Sequence, residues 1–254
     1  MDDSDLVRAI EDNAADLLMA MGAAGGGSQR DDGVARWTIG GSPLDYHNAV
    51  VAGSGEQVVA ESVAELRRYG VPGCWHVGPS MRTADLGERL LAAGFTHGGS
   101  EPGMAVALSE LVRPSGVPGL ELVRVVDDAG LAVWADTLGR GFGEGEKEAR
   151  WVASVYRKLG YADPWRHYLA TLDGSPVGTI TIYLAAGVAG VYFVMTVPEA
   201  RRRGIGAALT HEALTHADTE YAVLESSSAG RPVYESLGFR THCTVDLYEL
   251  VVSD

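Results

Sequence analysis

Cysteine and lysine are the scarce residues of this chain. Its 254 positions hold Cys74 and Cys243, Lys147 and Lys158, and no others of either type. One cysteine in each half excludes a disulfide framework and suits a reducing compartment. Basic charge is also short: 20 Lys and Arg against 34 Asp and Glu leave a net charge of -14. Nucleic-acid binding needs a basic face, so this balance argues against it. Long apolar runs are missing too. "LLMAMGAAGGG" (Leu17 to Gly27) is too short and too glycine-rich to span a bilayer. Asp2, Asp3 and Asp5 stand where a secretory leader would need positive charge. The expectation is a cytoplasmic protein without nucleic-acid or membrane partners. Its acidity serves solubility first and admits a cationic substrate second.

Catalytic and metal motifs are sparse as well. "HEALTH" carries His211 and His216 five residues apart, about 140° around a helix, where one metal cannot take both. His47, His76 and His167 have no ligand spacing, and no Gly-x-Ser-x-Gly elbow exists. No metal site is expected.

What is present is an ordinary globular composition, 46% apolar and 21% charged, at a length that fits one large domain or two modest ones. "VRPSGVPGLEL" (Val112 to Leu122) interrupts every period and marks the boundary, giving domains 1–113 and 119–254. In the first, the pattern predicts a helix from about Ser4 to Met21, a strand near Val34 to Ile39 and another in "HNAVVAG". A helix "EQVVAESVAELRRYG", a strand "CWHVG", a helix ending at Gly94 and a strand "GMAVALSEL" follow. The second opens with a strand "LELVRVV" and two helices, Ala129 to Leu138 and about Lys147 to Leu159. Three antiparallel strands come next, with turns expected at Asp173-Gly174 and Ala189-Gly190. A helix to about Ala217, a strand "YAVLES", a helix "GRPVYESLG" and a strand "RTHCTVDLYELV" complete a mixed α/β layer architecture. The halves echo one another: "LGERLLAAGF" and "PVYESLGF" both end a helix in Gly-Phe and enter similar strands.

"VYFVMTVPEARRRGIGAALTHEAL" (Val191 to Leu214) carries the strongest chemical signal. A strand that runs through glycines into a helix N-terminus presents free backbone N–H groups and the positive end of the helix dipole to one point. Gly204 and Gly206 keep Cβ atoms out of that space, and Arg201, Arg202 and Arg203 add positive charge, which suits a polyphosphate. By itself the pattern also fits a helix start with solvent-facing arginines. It is not a P-loop, which needs a lysine after its second glycine, and Leu209 occupies the third small position of a dinucleotide fingerprint.

Arg201-Arg202-Arg203-Gly204-Ile205-Gly206 resembles the Arg/Gln-x-x-Gly-x-Gly/Ala motif of the GNAT acyltransferase superfamily. "SSSAGRPVYESLGF" is similar to its Asn-x-x-Ala-x-x-x-Tyr-x-x-x-Gly-Phe pattern: Tyr234, Gly238 and Phe239 match, and Ser227 and Gly230 depart. The first half looks like a degenerate copy, with Gly94-Phe95 but no arginine-glycine loop, and Leu90 in place of the tyrosine. The resemblance implies a tandem GNAT fold using acetyl-CoA. Arg202, Arg203, Gly204, Ile205, Gly206, Ala207 and Ala208 would cradle the pyrophosphate, and the backbone of Met195, Thr196 and Val197 the pantetheine arm. Tyr234 would protonate the departing thiolate. The strand-four glutamate of some relatives has no counterpart in Val191 to Phe193, and Glu225 is the nearest carboxylate. Glu144, Glu146 and Phe142 lie in a connection that shapes the acceptor pocket of many relatives. The implied activity is transfer of an acetyl group to a small-molecule amine, by a monomer or homodimer. A non-catalytic acyl-CoA sensor and a GNAT-fold O-acyltransferase or decarboxylase stay open.

Overall fold

The computed structural model describes residues 1–251; residues 252–254, which belong to the expected second domain, lie outside the described residues. Two compact units emerge. Met1–Asn13 and Met104–His242 make one, and Ala14–Gly103 with Cys243 onward makes the other. The division is therefore interleaved, whereas the loop at Val112 to Leu122 suggested two contiguous halves.

In the first-half unit, β1 (Ser28–Asp31), β2 (Arg36–Ile39) and β3 (Ala49–Ala52) run antiparallel. The strand expected from Val34 starts two residues later, because Asp32 Oδ1 accepts the N–H groups of Val34 and Ala35 at 2.9 Å and holds them in a turn. Helix α2 (Glu56–Tyr69) follows, closed by Gly70 in the left-handed conformation, φ 63°. It leads into β4 (Gly73–Val77), parallel to β3. After α3 (Leu86–Ala92) the chain enters β5 (Thr96–Ala107). The strand that pairs antiparallel with β4 is β11 (Arg240–Leu250), the last of the chain, with Tyr248 opposite Trp75. Val58, Val63 and Leu66 of α2 and Leu86 and Leu90 of α3 bury against Val50, Trp75 and Val77. Each such aliphatic side chain contributes about 2 kcal/mol.

The later unit repeats the pattern. β6 (Leu120–Arg124), β7 (Trp165–Leu172), β8 (Ser175–Ala185) and β9 (Val188–Thr196) are antiparallel, and β10 (Tyr221–Glu225) lies parallel to β9. Helices α4 (Asp128–Gly139) and α5 (Glu146–Leu159) precede the sheet's long strands, α4 capped by Asp127, which accepts the Gly130 N–H. Helix α6 (Ile205–Thr215) joins β9 to β10, and α7 (Arg231–Ser236) follows β10. The strand after α7 is β11, which serves the other unit from Cys243 onward, while Met104–Ala107 of β5 belongs to this one. Each unit thus takes its last strand from the other half of the sequence.

The turn expected at Ala189-Gly190 is not there. β8 and β9 are joined through Ala186 and Gly187, both at positive φ (52° and 73°), as Asp173 and Gly174 join β7 to β8. Gly190 instead lies within β9, where a Cβ would sit 1.9 Å from Asn13 Oδ1. Asn13 is fully buried on α1 (Asp3–Gly25), donates to the Tyr183 and Ala185 carbonyls and accepts from the Tyr192 hydroxyl at 2.7 Å. Asn13→Ala would strand those partners, so unfolding in guanidinium should show a loss of about 2–3 kcal/mol. A loss below about 0.5 kcal/mol would contradict a structural role for this side chain.

Two buried histidines make stability pH-dependent. Burial holds His167 down to about 3 and His76 down to about 4, from an ordinary 6.5. Below 6.5 the unfolded chain binds protons that the folded one refuses, so stability is complete above that pH and falls below it. The expected slope is about 1.4 kcal/mol per pH unit for each histidine. Denaturation at about pH 7, 6 and 5 measures it, and an unchanged stability would show that the rings are not held neutral.

Candidate active site

In the later unit two neighbouring strands pair only briefly and then part. β9 and β10 are paired only at Ala189 with Ala222 and Gly190 with Val223. Beyond that point β9 continues to Thr196, bonded to β8 on its other side. The separation coincides with a bulge: Thr181 faces Tyr192 but Thr179 faces Met195, so β9 carries one extra residue there. Phe193, inside the bulge, has φ 51°, a left-handed conformation uncommon for a bulky side chain. Its ring is held by Phe142, Tyr156 and Trp134 at centroid distances of 5.6, 5.8 and 6.1 Å. Packing rather than glycine freedom maintains the bulge.

At the end of β9 the chain turns through Pro198–Ala200. Arg201 folds back: its Nε donates to the Thr196 carbonyl and an Nη to the Gly141 carbonyl, both at 3.0 Å. That fixes the loop to the strand it leaves and to the segment after α4. Arg202 (φ 64°) and Gly204 (φ 80°) are both left-handed, and Gly204 caps α6 without any side-chain bond. Alternating such residues into a helix start turns successive amides toward one concavity, an anion nest. The Ala208 N–H closes onto the Gly204 carbonyl at 3.0 Å, so the amides from Arg202 to Ala207 come before the first closed turn. Arg202 and Arg203 are exposed beside them.

Gly206 marks where the elements meet. A Cβ there would lie 3.8 Å from Thr196 Oγ1 of β9 and 3.9 Å from Val233 Cγ1 of α7, with nothing nearer. The space in front of the nest is therefore one that a side chain would fill, and the residues present fit a bound diphosphate. Tyr234 follows Val233 on α7. It is half-buried, its ring lies 5.8 Å from Phe239, and burial pushes its phenol well above the ordinary range. Glu225, half-buried, ends β10 on the parted side.

The remaining residues divide plainly. Met195 and Val197 have buried side chains. The Val197 N–H is spent on the Val177 carbonyl at 2.9 Å, and its carbonyl accepts from Ala200, so its backbone serves the fold. Thr196 lies between them and takes the Arg201 guanidinium. Ser227, in the asparagine position, accepts the Gly230 N–H at 3.2 Å in the turn that precedes α7. Glu144 pairs with Lys147 and Glu146 with Arg150. No cluster of three metal-ligating residues occurs among the described residues, and no described helix is long and apolar enough to cross a membrane. The bulge at Phe193 had no sequence signal, since no glycine marks it.

The counterpart loop of the first-half unit, between β3 and α2, is occupied by its own chain. Arg89 of α3 donates to the Ser54 carbonyl at 2.7 Å, and Glu56 puts a negative charge in the first turn of α2. An anion is disfavoured there.

Residues 163–241 match the family model described as the acetyltransferase (GNAT) domain. A GCN5-related N-acetyltransferase from Kribbella flavida superposes with TM-score 0.67 at 18% identity, covering 93% of this chain and 95% of that one. A functionally unknown conserved protein from Staphylococcus epidermidis gives 0.71 at 12% identity over 89% and 95%. A tandem GNAT protein from the clavulanic acid biosynthesis pathway gives 0.58 at 16% identity over 89% and 82%. At these identities the likeness establishes the fold. No curated protein matches the chain. The chain therefore has the fold of these GNAT proteins, one of them a tandem, and its match to the GNAT domain model lies in the later half.

Proposed function

We propose that this protein transfers an acetyl group from acetyl-CoA to a primary amine of a small molecule, in the cytoplasm, with the later unit doing the chemistry. The observation that carries this reading is the convergence at Gly206 of the amide nest, the parted end of β9 and the helix bearing Tyr234. The amides of Arg202 through Ala207 would hold the diphosphate, with Arg202 and Arg203 adding charge from the rim. The unpaired edge of β9 up to Thr196 would align the pantetheine arm.

Acetyl-CoA supplies, when bound, a thioester carbonyl for the amine and a thiol leaving group. Holding both reactants in the cleft removes much of the entropic part of the barrier. Tyr234 donates its proton to the departing sulfur; its raised pKa keeps the hydroxyl protonated throughout the neutral range. Glu225, at the mouth of the parted strands, takes the proton lost by the acceptor, directly or through water. Net acidity draws a cationic amine toward the protein.

Release of free coenzyme A, followed with a thiol reagent across aminoglycosides, polyamines and amino acids, tests the reading. Acceptor-dependent release is the expected result. Release only by slow hydrolysis, whatever the amine, would argue for a sensor instead.

A further inference from the structure

Met1–Asn13 belongs to the later unit, and α1 gives it one buried stripe at helical spacing: Leu6, Ala9, Ile10 and Asn13. The first turn is tied down by Asp3, whose Oδ1 meets His242 Nδ1 at 2.5 Å. Asn13 holds β8 and β9. Its Nδ2 donates to the Tyr183 and Ala185 carbonyls at 3.3 and 2.9 Å, and its Oδ1 accepts the Tyr192 hydroxyl at 2.7 Å. β10 stands between β9 and the strand of His242, so the helix lies across the β9–β10 pair.

The crossing point is where that pair comes apart. Gly190, opposite Val223, is the last residue of β9 in register with β10. A Cβ on Gly190 would stand 1.9 Å from Asn13 Oδ1 and 2.5 Å from the Tyr192 ring, so the three residues are packed together there. The bulge begins at the next residue, Phe193. Aromatic rings from α4, α5 and the loop between them grip Phe193, and α1 grips the residue before it. Asn13 is fully buried within an otherwise apolar stripe. Hydrogen bonds fix direction as well as distance, so a satisfied buried amide sets a strand's position more narrowly than apolar packing does.

We infer that Asn13 is a positioning residue for the coenzyme: through Tyr192 it holds β9 where that strand leaves β10, and so sets the course of the free β9 edge. The inference rests on the acetyl-CoA reading above, in which that edge aligns the pantetheine arm. It gives the helix that opens the chain a part in coenzyme binding, exerted through β9.

Calorimetry on the full chain with coenzyme A and with adenosine 3′-phosphate 5′-diphosphate, the same nucleotide without its pantetheine arm, tests it. The wild type should bind coenzyme A more tightly, and the ratio of the two affinities measures the arm's contribution. Tyr192→Phe keeps the ring and removes the hydroxyl. It should leave nucleotide affinity unchanged and cut the ratio by about threefold, and a folded Asn13→Ala should cut it by about tenfold. Adding Tyr192→Phe to Asn13→Ala should cost nothing more, because both remove the same bond. A purely structural Asn13 would lower the melting temperature and leave the ratio alone. If Asn13→Ala does not fold, Tyr192→Phe decides. An unchanged ratio in Tyr192→Phe, or a wild type that binds the two compounds equally, would overturn the inference while leaving nucleotide binding standing. Failure of the wild type to bind either compound would overturn the acetyl-CoA reading and this inference with it.

Discussion

Tyr234→Phe is expected to lower kcat by about a hundred- to ten-thousand-fold while the KM for acetyl-CoA stays within about twofold. The substitution removes one oxygen and keeps the ring that packs on Phe239, so α7 keeps its place. What is lost is the proton for the leaving thiolate, a group basic enough that departing unprotonated is costly. The phenol suits this task because partial burial raises its pKa, and an acid must be protonated to act. The pH profile follows from the sign of that shift: no loss of kcat on the alkaline side should trace to Tyr234 below about pH 10. A steady-state comparison of the two proteins measures the effect. A variant with wild-type kcat would move the acid role elsewhere.

Gly206→Val should weaken acetyl-CoA binding by about a hundredfold or more, equivalent to roughly 2.7 kcal/mol, without destabilising the protein. Gly206 lies in the first turn of α6, and its Cβ would meet neighbours at ordinary contact distances of 3.8 and 3.9 Å. Valine is also a better helix former than glycine. A Cβ there clashes with nothing, so the substitution acts on the space before the amides. Gly204→Val makes a useful contrast. At φ 80° a branched side chain is strained, so that variant should lose stability as well as affinity, by about 1–2 kcal/mol. Melting curves with and without acetyl-CoA separate the two cases. Equal ligand-induced shifts in Gly206→Val and wild type would show that the diphosphate does not sit there.

Much of this was legible in the sequence because the informative residues act locally. Gly70 ends α2 by its left-handed φ, Asp173-Gly174 makes a hairpin turn, and the arginine-glycine run opens α6. What escaped depends on distant partners. Ala186-Gly187 and Ala189-Gly190 are equivalent pairs by turn chemistry. The second lies in a strand because Asn13, some 177 residues away in sequence, takes the space a Cβ would need. Phe193 is bent by three aromatic neighbours from α4, α5 and the loop between them, a cause no local pattern records. "GMAVALSEL" and "TVDLYEL" are alike, so their resemblance identifies equivalent strands without saying which unit each joins. Ser227 shows a third kind of limit. Its hydroxyl holds the Gly230 N–H in the turn before α7, a use that the family pattern at that position does not disclose.

Titration of the full chain with acetyl-CoA in a calorimeter tests the central claim most directly. The predicted result is one saturable site per chain, in the later unit, lost in Gly206→Val and retained in Tyr234→Phe. No binding by the wild type, or equal binding by Gly206→Val, would contradict it.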